Sequence, residues 1–326
     1  MIPRMVRLPR RPLARLWDRL RGRVAVVDAC LLFNELDLLE LRFQELWDVV
    51  DAFVVVEATY SHAGAPKPLF FAEHATRFAP YRDKVAYHVL RTPPIATPRT
   101  PADRVAIEHY QREAIGAALA PLGLHGRDVV LVSDVDEVPR ATAVASLEAR
   151  LAASRFAVFV MRHYHRYVNH AWPPGVEPPR WLGSVACRVS TLRRLGAQRV
   201  RRGKQRSGIV LEVKDPRWSY VDDGGWHFTW MGGPEAAWTK AQNVMEVLDR
   251  ASGLRDLGPP LPIRVYPAAV SRDTCREIQA AYLANAEAPA FTPLDFDDVT
   301  VTADLPDAMR RHPERFRRYF FFTGGL

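Results

Sequence analysis

Four short apolar runs punctuate the first part of the chain, and three of them end at carboxylates. Residues 24–27 lead into Asp28 and, through residues 30–33, into the polar group Asn34-Glu35-Leu36-Asp37. Residues 51–57 read Asp-Ala-Phe-Val-Val-Val-Glu and end at Glu57, and Val85–Leu90 is the third run. The fourth, 129–132, enters Ser133-Asp134-Val135-Asp136-Glu137 and is stopped by Pro139. Short valine-rich runs bounded by polar or turn residues predict buried strands. Between them Leu38, Leu39, Leu41, Leu46 and Trp47 suit a helix, and residues 103–120 read as another, closed by Pro121 and Gly123. Strand alternating with helix predicts an α/β fold with a mostly parallel, Rossmann-like sheet flanked by helices.

After Arg150 the pattern loosens into a strand at 156–161, a Pro-rich loop at 173–179 and apolar pieces near Val185 and Ile209. No repeat or low-complexity linker divides the chain. The reading is therefore a basic segment, 1–23, followed by one domain, 24–326, whose halves 24–140 and 141–326 differ in regularity. The loops of the second half are expected to carry specificity.

Charge changes this picture little. The formal net charge is +8, but residues 1–23 hold eight arginines and only one acid, Asp18, so the body is nearly neutral. Nucleic acid is therefore not an expected partner. Within the basic segment Leu13, Leu16, Trp17 and Leu20 fall at helical spacing among arginines, which fits either a helix on an anionic membrane surface or one docked on the core. Neither a run of roughly 18 apolar residues nor a signal-peptide core is present, so the protein is expected in the cytoplasm, with peripheral contact at the inner face of the membrane. Cys30, Cys187 and Cys275 have no pairing or zinc-ligand spacing. Arginine outnumbers lysine 40 to 5, read as a genome-composition bias of bacterial kind.

The sharpest chemical signal is Asp134-Val135-Asp136 directly after a strand, because ligands of open α/β sheets bind at the carboxyl ends of strands. Two carboxylates there need a compensating cation or hydrogen-bond donors. A hard divalent ion, Mn²⁺ or Mg²⁺, matches such oxygen ligands and could bridge to the diphosphate of a sugar nucleotide. A helix cap or a solvated loop would explain the same tripeptide. Asn34, Glu35, Asp37 and Glu57 share the predicted edge, and polar groups converging on one edge describe a pocket. Gly224-Gly225-Trp226-His227 reads as a flexible turn bearing an aromatic ring and an imidazole able to reach a metal, a structural histidine being the alternative. Residues 193–206 carry seven basic residues and no acid, the pattern of a loop closing over phosphates or of a solvated surface.

These blocks resemble glycosyltransferase family 17. The resemblance is carried by Asp28 through Glu40, by Asp48 through Glu57, by Gly64-Ala-Pro-Lys67-Pro68-Leu69 and by Glu108-His-Tyr-Gln111-Arg112. It continues in Ser133-Asp134-Val135-Asp136-Glu137-Val138-Pro139 and in Gly225-Trp226-His227-Phe228-Thr229-Trp230, over roughly residues 28 to 230. It implies a GT-A type fold, UDP-N-acetylglucosamine as donor, Mn²⁺ or Mg²⁺ on the Asp-Val-Asp motif, and transfer with inversion to a β-linkage; it does not fix the acceptor, which is expected to be a glycan or lipid-linked saccharide. Residues 24–140 then become the nucleotide-sugar half and 141–326 the acceptor half.

On this reading Asp134, Asp136 and His227 hold the metal. Asn34, Glu35, Asp37, Glu57 and Trp226 border the donor, with Lys67 and Arg112 as charge partners. The base that takes the acceptor proton is sought among Glu137, Glu212, Asp222 and Asp223. Two rival readings stay open. One is a haloacid-dehalogenase-type phosphatase with Asp134 as nucleophile; the other is a non-catalytic basic module using residues 1–23 and 193–206.

Overall fold

The structure, a computed structural model, describes residues 23–165, 167–168, 180–202, 217–232, 236, 240, 243 and 304–320. The proposed membrane helix, the Pro-rich loop, Ile209, Glu212, Cys275 and the end of the basic run lie outside these residues.

The described strands are β1 (Val26–Leu32), β2 (Ala52–Ala58), β3 (Val85–Leu90), β4 (Val129–Asp134), β5 (Glu137–Pro139), β6 (Phe156–His165), β7 (Arg180–Arg188) and β8 (Trp218–Thr229). They form one sheet in the order β3-β2-β1-β4-β7-β6-β8-β5. The first half is parallel, β1 pairing with β2 and β4, and β2 with β3. Antiparallel pairs then join β4 to β7, β7 to β6 and β8 to β5, while β6 and β8 run parallel. The α/β architecture is as the alternation predicts, and its second half makes the sheet mixed.

Every residue of β2 is buried, which accounts for its unbroken apolar run: a central parallel strand is covered on both faces. Alternate residues feed two cores. Val54, Val56, Val130 and Val132 pack with Ile115 and Leu119 on one face, and Phe53, Val55 and Leu131 pack with Leu39 and Phe43 on the other. Cys30 and Cys187 are buried in these cores, and burial pushes both thiols up to about 12, so they are inert packing residues.

The helix Pro101–Leu119 starts where its sequence dictates. Thr100 Oγ1 accepts from the Asp103 amide at 3.2 Å and the Asp103 carboxylate accepts from the Thr100 amide at 2.8 Å, a capping box with Pro101 in the first turn. Gly123, at a φ of 63°, follows its end. Residues 304–320 dock on the helix Leu36–Leu46 and on β8 through Leu38, Leu41, Trp226, Met309 and Phe316. Arg318 on Asp37 at 2.7 Å and Arg315 on Glu40 at 2.8 Å reinforce that seam. Among the described residues no helix is long and apolar enough to cross a membrane.

Candidate active site

Register brings the predicted residues to one edge. At the carboxyl ends of the parallel strands Leu31 faces Asp134 and Leu32 faces Glu57. The chain then turns through Val135 and Asp136 into β5, where Glu137 faces His227 of β8, and the Phe228 amide donates to the Asp136 carbonyl at 2.8 Å. Gly225 permits this approach: its φ is 141°, and a Cβ there would lie 2.2 Å from the Val138 carbonyl oxygen. The glycine pair read as a flexible turn is therefore part of strand β8. It lies at a bulge, where Phe159 pairs with Val221 and Met161 already pairs with Gly225.

The acid loop is anchored from beneath by Arg42, whose side chain is fully buried. Its guanidinium forks onto Asp28, donates to Ser133 Oγ at 2.7 Å and also reaches the carbonyls of Asp134 and Glu137. This explains an acid in the middle of β1. Asp28 neutralises the arginine that fixes the loop, and a buried charge is tolerable only when paired in this way.

Above this anchor the acid pair divides into two environments. Asp134 is gripped by two guanidinia, Arg201 Nη2 on Oδ2 at 2.7 Å and Arg112 Nη2 on Oδ1 at 3.1 Å. Asp136 instead has Lys240 Nζ at 3.0 Å from Oδ2 and His227 Nε2 at 3.7 Å from Oδ1. Burial raises the Asp136 pKa, with the Asp134 and Glu137 charges adding to the rise and Lys240 opposing it. Glu137 is buried and accepts from Arg201 at 2.7 and 2.9 Å and from Trp181 Nε1 at 2.9 Å. His227 stacks on Trp181 at 4.4 Å and on His163 at 5.0 Å. Burial, helped by His227, holds the His163 pKa well below the usual imidazole value, so it is neutral.

A cleft of about 830 Å³, open mouth included, runs along this edge. Of the sequence-predicted residues, Glu35, Lys67, Arg112, Asp134, Asp136 and His227 line it, joined by Tyr60, His62, Glu108, Gln111, Trp181 and Lys240. Others are placed elsewhere, which corrects the expectations for them. Glu57 is fully buried and accepts from the amides of Phe70 and Phe71, Lys67 Nζ and Tyr87 Oη, so it organises the wall behind Lys67. Asp37 is held by Arg77 and Arg318. Asn34 lies outside the cleft lining, its amide donating to Glu35 at 3.1 Å. Trp226 is a core residue whose Nε1 donates to the Asp304 carbonyl at 2.7 Å beneath the Arg140 guanidinium. Asp222 and Asp223 are exposed on the β8 bulge, Asp223 paired with Arg140 at 2.8 Å.

Arg201, Trp181 and Lys240 are the residues the sequence reading passed over. Arg201 lies inside a basic run whose pattern reads as surface or as a phosphate-closing loop. Yet Ala197, Val200 and Arg201 fall at helical spacing, and that face is buried. Lys240 carried a fainter signal: in a chain with only five lysines, two line this cleft.

An α/β sheet whose carboxyl edge bears an acid pair walled by cations is the build of an enzyme that handles anionic substrates. Residues 13–185, over half of the chain, match glycosyltransferase family 17, and the chain belongs to that family. The β-1,4-mannosyl-glycoprotein 4-β-N-acetylglucosaminyltransferases of Homo sapiens and Rattus norvegicus are each 31% identical to it over 240 residues, 67% of this chain and 43% of theirs. The chain thus spans less than half the length of these relatives. Among solved structures, S. aureus TarS 1-349 superposes at a TM-score of 0.35 with 12% identity, covering 67% of this chain and 64% of that one. Glucosyl-3-phosphoglycerate synthase from Mycobacterium tuberculosis, in complex with Mn²⁺, UDP and phosphoglyceric acid, does so at 0.32 with 13% identity, covering 66% and 73%. Both are partial likenesses. Family membership sets aside the phosphatase and the non-catalytic readings, and two guanidinia on Asp134 also leave it poorly suited to attack phosphorus.

Proposed function

We propose that this chain transfers N-acetylglucosamine, or a closely related sugar, from a UDP-sugar to a saccharide hydroxyl, with inversion, in a GT-A type domain. The observation that carries the reading is the convergence in one cleft of Asp136 and His227 with the cations Lys67, Arg112 and Lys240. A diphosphate needs such cations, and a nucleoside diphosphate is the leaving group that family membership leads us to expect.

The residues fit a divalent ion, Mn²⁺ or Mg²⁺, although no cluster of three or more ligating side chains stands ready among the described residues. Asp136 and His227 would hold it. Burial, and after it the charges of Asp134 and Glu137, raises the Asp136 pKa, and a dication held there would supply the charge compensation that burial withholds. When bound, the ion offsets the charge growing on the departing diphosphate. Asp134, fixed by Arg112 and Arg201, keeps the turn that aims Asp136 into the cleft.

The acceptor oxygen attacks the anomeric carbon as a carboxylate takes its proton. Glu137 is unsuited to this, since its oxygens are engaged by Arg201 and Trp181. Asp222 and Asp223 stand off the cleft and Glu108 is paired with Arg112, so among the described residues proton acceptance falls to Glu35, with Glu212 outside them as the other candidate. Asp222→Asn and Asp223→Asn are each expected to keep transfer within about twofold, the scale of ordinary surface changes. A large loss in either, measured as UDP release, would return that residue to the base candidates.

The test is transfer itself. With UDP-N-acetylglucosamine and a panel of free and lipid-linked saccharides, we expect UDP release and a β-linked product by mass spectrometry and NMR. Both should be lost in EDTA and restored by Mn²⁺ or Mg²⁺. Failure to release UDP from any UDP-sugar with any acceptor contradicts the proposal.

A further inference from the structure

One turn at the cleft carries polar groups that its own fold does not use. After β2 the chain folds back on itself. The Ser61 amide donates to the Ala65 carbonyl at 2.8 Å, the Gly64 amide to the Ser61 carbonyl at 2.9 Å and the Lys67 amide to the Thr59 carbonyl at 2.9 Å, so these backbone groups are satisfied within the turn. Ser61 and His62 line the cleft, and Ser61 Oγ and His62 Nδ1 are both buried without a hydrogen-bond partner among the described residues. Buried polar atoms are normally bonded, since an unsatisfied one forfeits the hydration it had in the unfolded chain. Gln111 fixes which proton His62 carries. Its Nε2 donates to the Tyr60 carbonyl at 3.4 Å, and a carbonyl only accepts, so the amide oxygen is the end that faces His62. That oxygen meets His62 Nε2 at 3.2 Å and calls for a proton there. Burial lowers the His62 pKa, so at neutral pH the ring holds one proton, on Nε2, and Nδ1 is left as an acceptor. Ser61 Oγ and His62 Nδ1 do not bond to each other, so the serine is not an activated nucleophile.

We propose that Ser61 and His62 recognise the edge of an amide in the donor, His62 Nδ1 accepting its N–H and Ser61 Oγ donating to the carbonyl oxygen beside it. This rests on the UDP-sugar reading above. Such a donor carries that edge twice, in the imide of its uracil ring and in the acetamido group of N-acetylglucosamine. Selectivity follows from what a competing ligand lacks. Cytosine offers a lone pair at its ring N3 where uracil offers N–H, which sets acceptor against acceptor. Glucose has a hydroxyl in place of the acetamido group and no carbonyl for Ser61. A site built to bond an N–H discriminates strongly, because the analogue without it leaves a buried polar atom unpaired.

The experiment is calorimetry of the full chain at saturating Mn²⁺, with wild type, His62→Gln, His62→Asn and Ser61→Ala. Two matched pairs of ligand are used, UDP against CDP and UDP-N-acetylglucosamine against UDP-glucose. The wild type should prefer the first member of a pair by about tenfold or more, the scale of one buried group left unpaired. His62→Gln keeps an N–H donor at the place of Nε2 and lacks the acceptor at Nδ1, so it should erase most of that preference. His62→Asn, whose amide oxygen falls near the place of Nδ1, should keep part of it. Erasure in the first pair assigns the edge to uracil, and erasure in the second assigns it to the acetamido group. Ser61→Ala should bind UDP-N-acetylglucosamine about fivefold more weakly, the scale of a neutral hydrogen bond. A fold-wide defect weakens both members of a pair alike, so the ratio separates recognition from damage. No preference in either pair, or one that His62→Gln leaves unchanged, overturns the inference while the donor reading stands. Unchanged affinity in Ser61→Ala overturns the carbonyl contact. UDP-sugar binding absent from the wild type itself overturns both the inference and the reading beneath it.

Discussion

Asp136→Asn is expected to lose donor binding and transfer while unfolding at a higher temperature than the native protein. Burial and the neighbouring Asp134 and Glu137 raise the Asp136 pKa above its value in the unfolded chain. For an acid this sign means that the folded state holds the proton more tightly. The ionised carboxylate therefore opposes folding, and the opposition fades as pH falls through the folded pKa. An amide of the same shape never carries the charge, so at neutral pH it relieves the fold. Function moves the other way. Loss of a carboxylate that would hold the divalent ion, and with it the charge that offsets the diphosphate, should lower transfer by a factor on the order of 10² to 10³. The same shift predicts that donor binding by the native protein fails on the acid side at a pH above that at which an ordinary aspartate titrates. Thermal unfolding and a binding titration check both arms, and a variant that is destabilised yet still binds donor would refute the assignment.

Arg201→Met should be the most damaging single change near the cleft. The guanidinium is 7% exposed and satisfies Glu137, itself 1% exposed, together with Asp134. Removing one partner of such a cluster leaves uncompensated buried charge, which costs about 3–5 kcal/mol. Arg201→Lys should rescue little, since one ammonium cannot span the two carboxylates and the Gly183 carbonyl that the fork reaches. Adding Glu137→Gln to Arg201→Met should recover part of the lost stability in urea unfolding, because it neutralises the stranded acid. If the single variant unfolds like wild type, the cluster is not holding the acid loop.

The parallel core was legible because β1, β2 and β4 are buried on both faces, and such strands are apolar along most of their length, Asp28 being tolerated in β1 through its pairing with Arg42. The acid pair was legible for the same reason, as the abrupt end of an apolar run. The antiparallel extension was less so. Its β7 carries Gly183 and Ser184 among apolar residues, and its pairing with β4 and β6 is set by contacts far apart in sequence. Arg201 was hidden by its neighbours, since a run of basic residues reads as surface until one helical face turns inward. Trp226 erred the other way: it adjoins His227 in the chain, but alternation along β8 sends the two to opposite faces, His227 toward the cleft and Trp226 into the core.

The central claim is that the cleft at Asp136 is the donor site, and calorimetry of UDP-N-acetylglucosamine tests it most directly, in Mn²⁺ and in EDTA, with wild type and an Asp134→Asn/Asp136→Asn double variant. Metal-dependent binding by the wild type that disappears in the double variant is the expected result. Binding that survives undiminished in the double variant would place the donor elsewhere, and no binding of any UDP-sugar by the wild type would contradict the donor assignment itself.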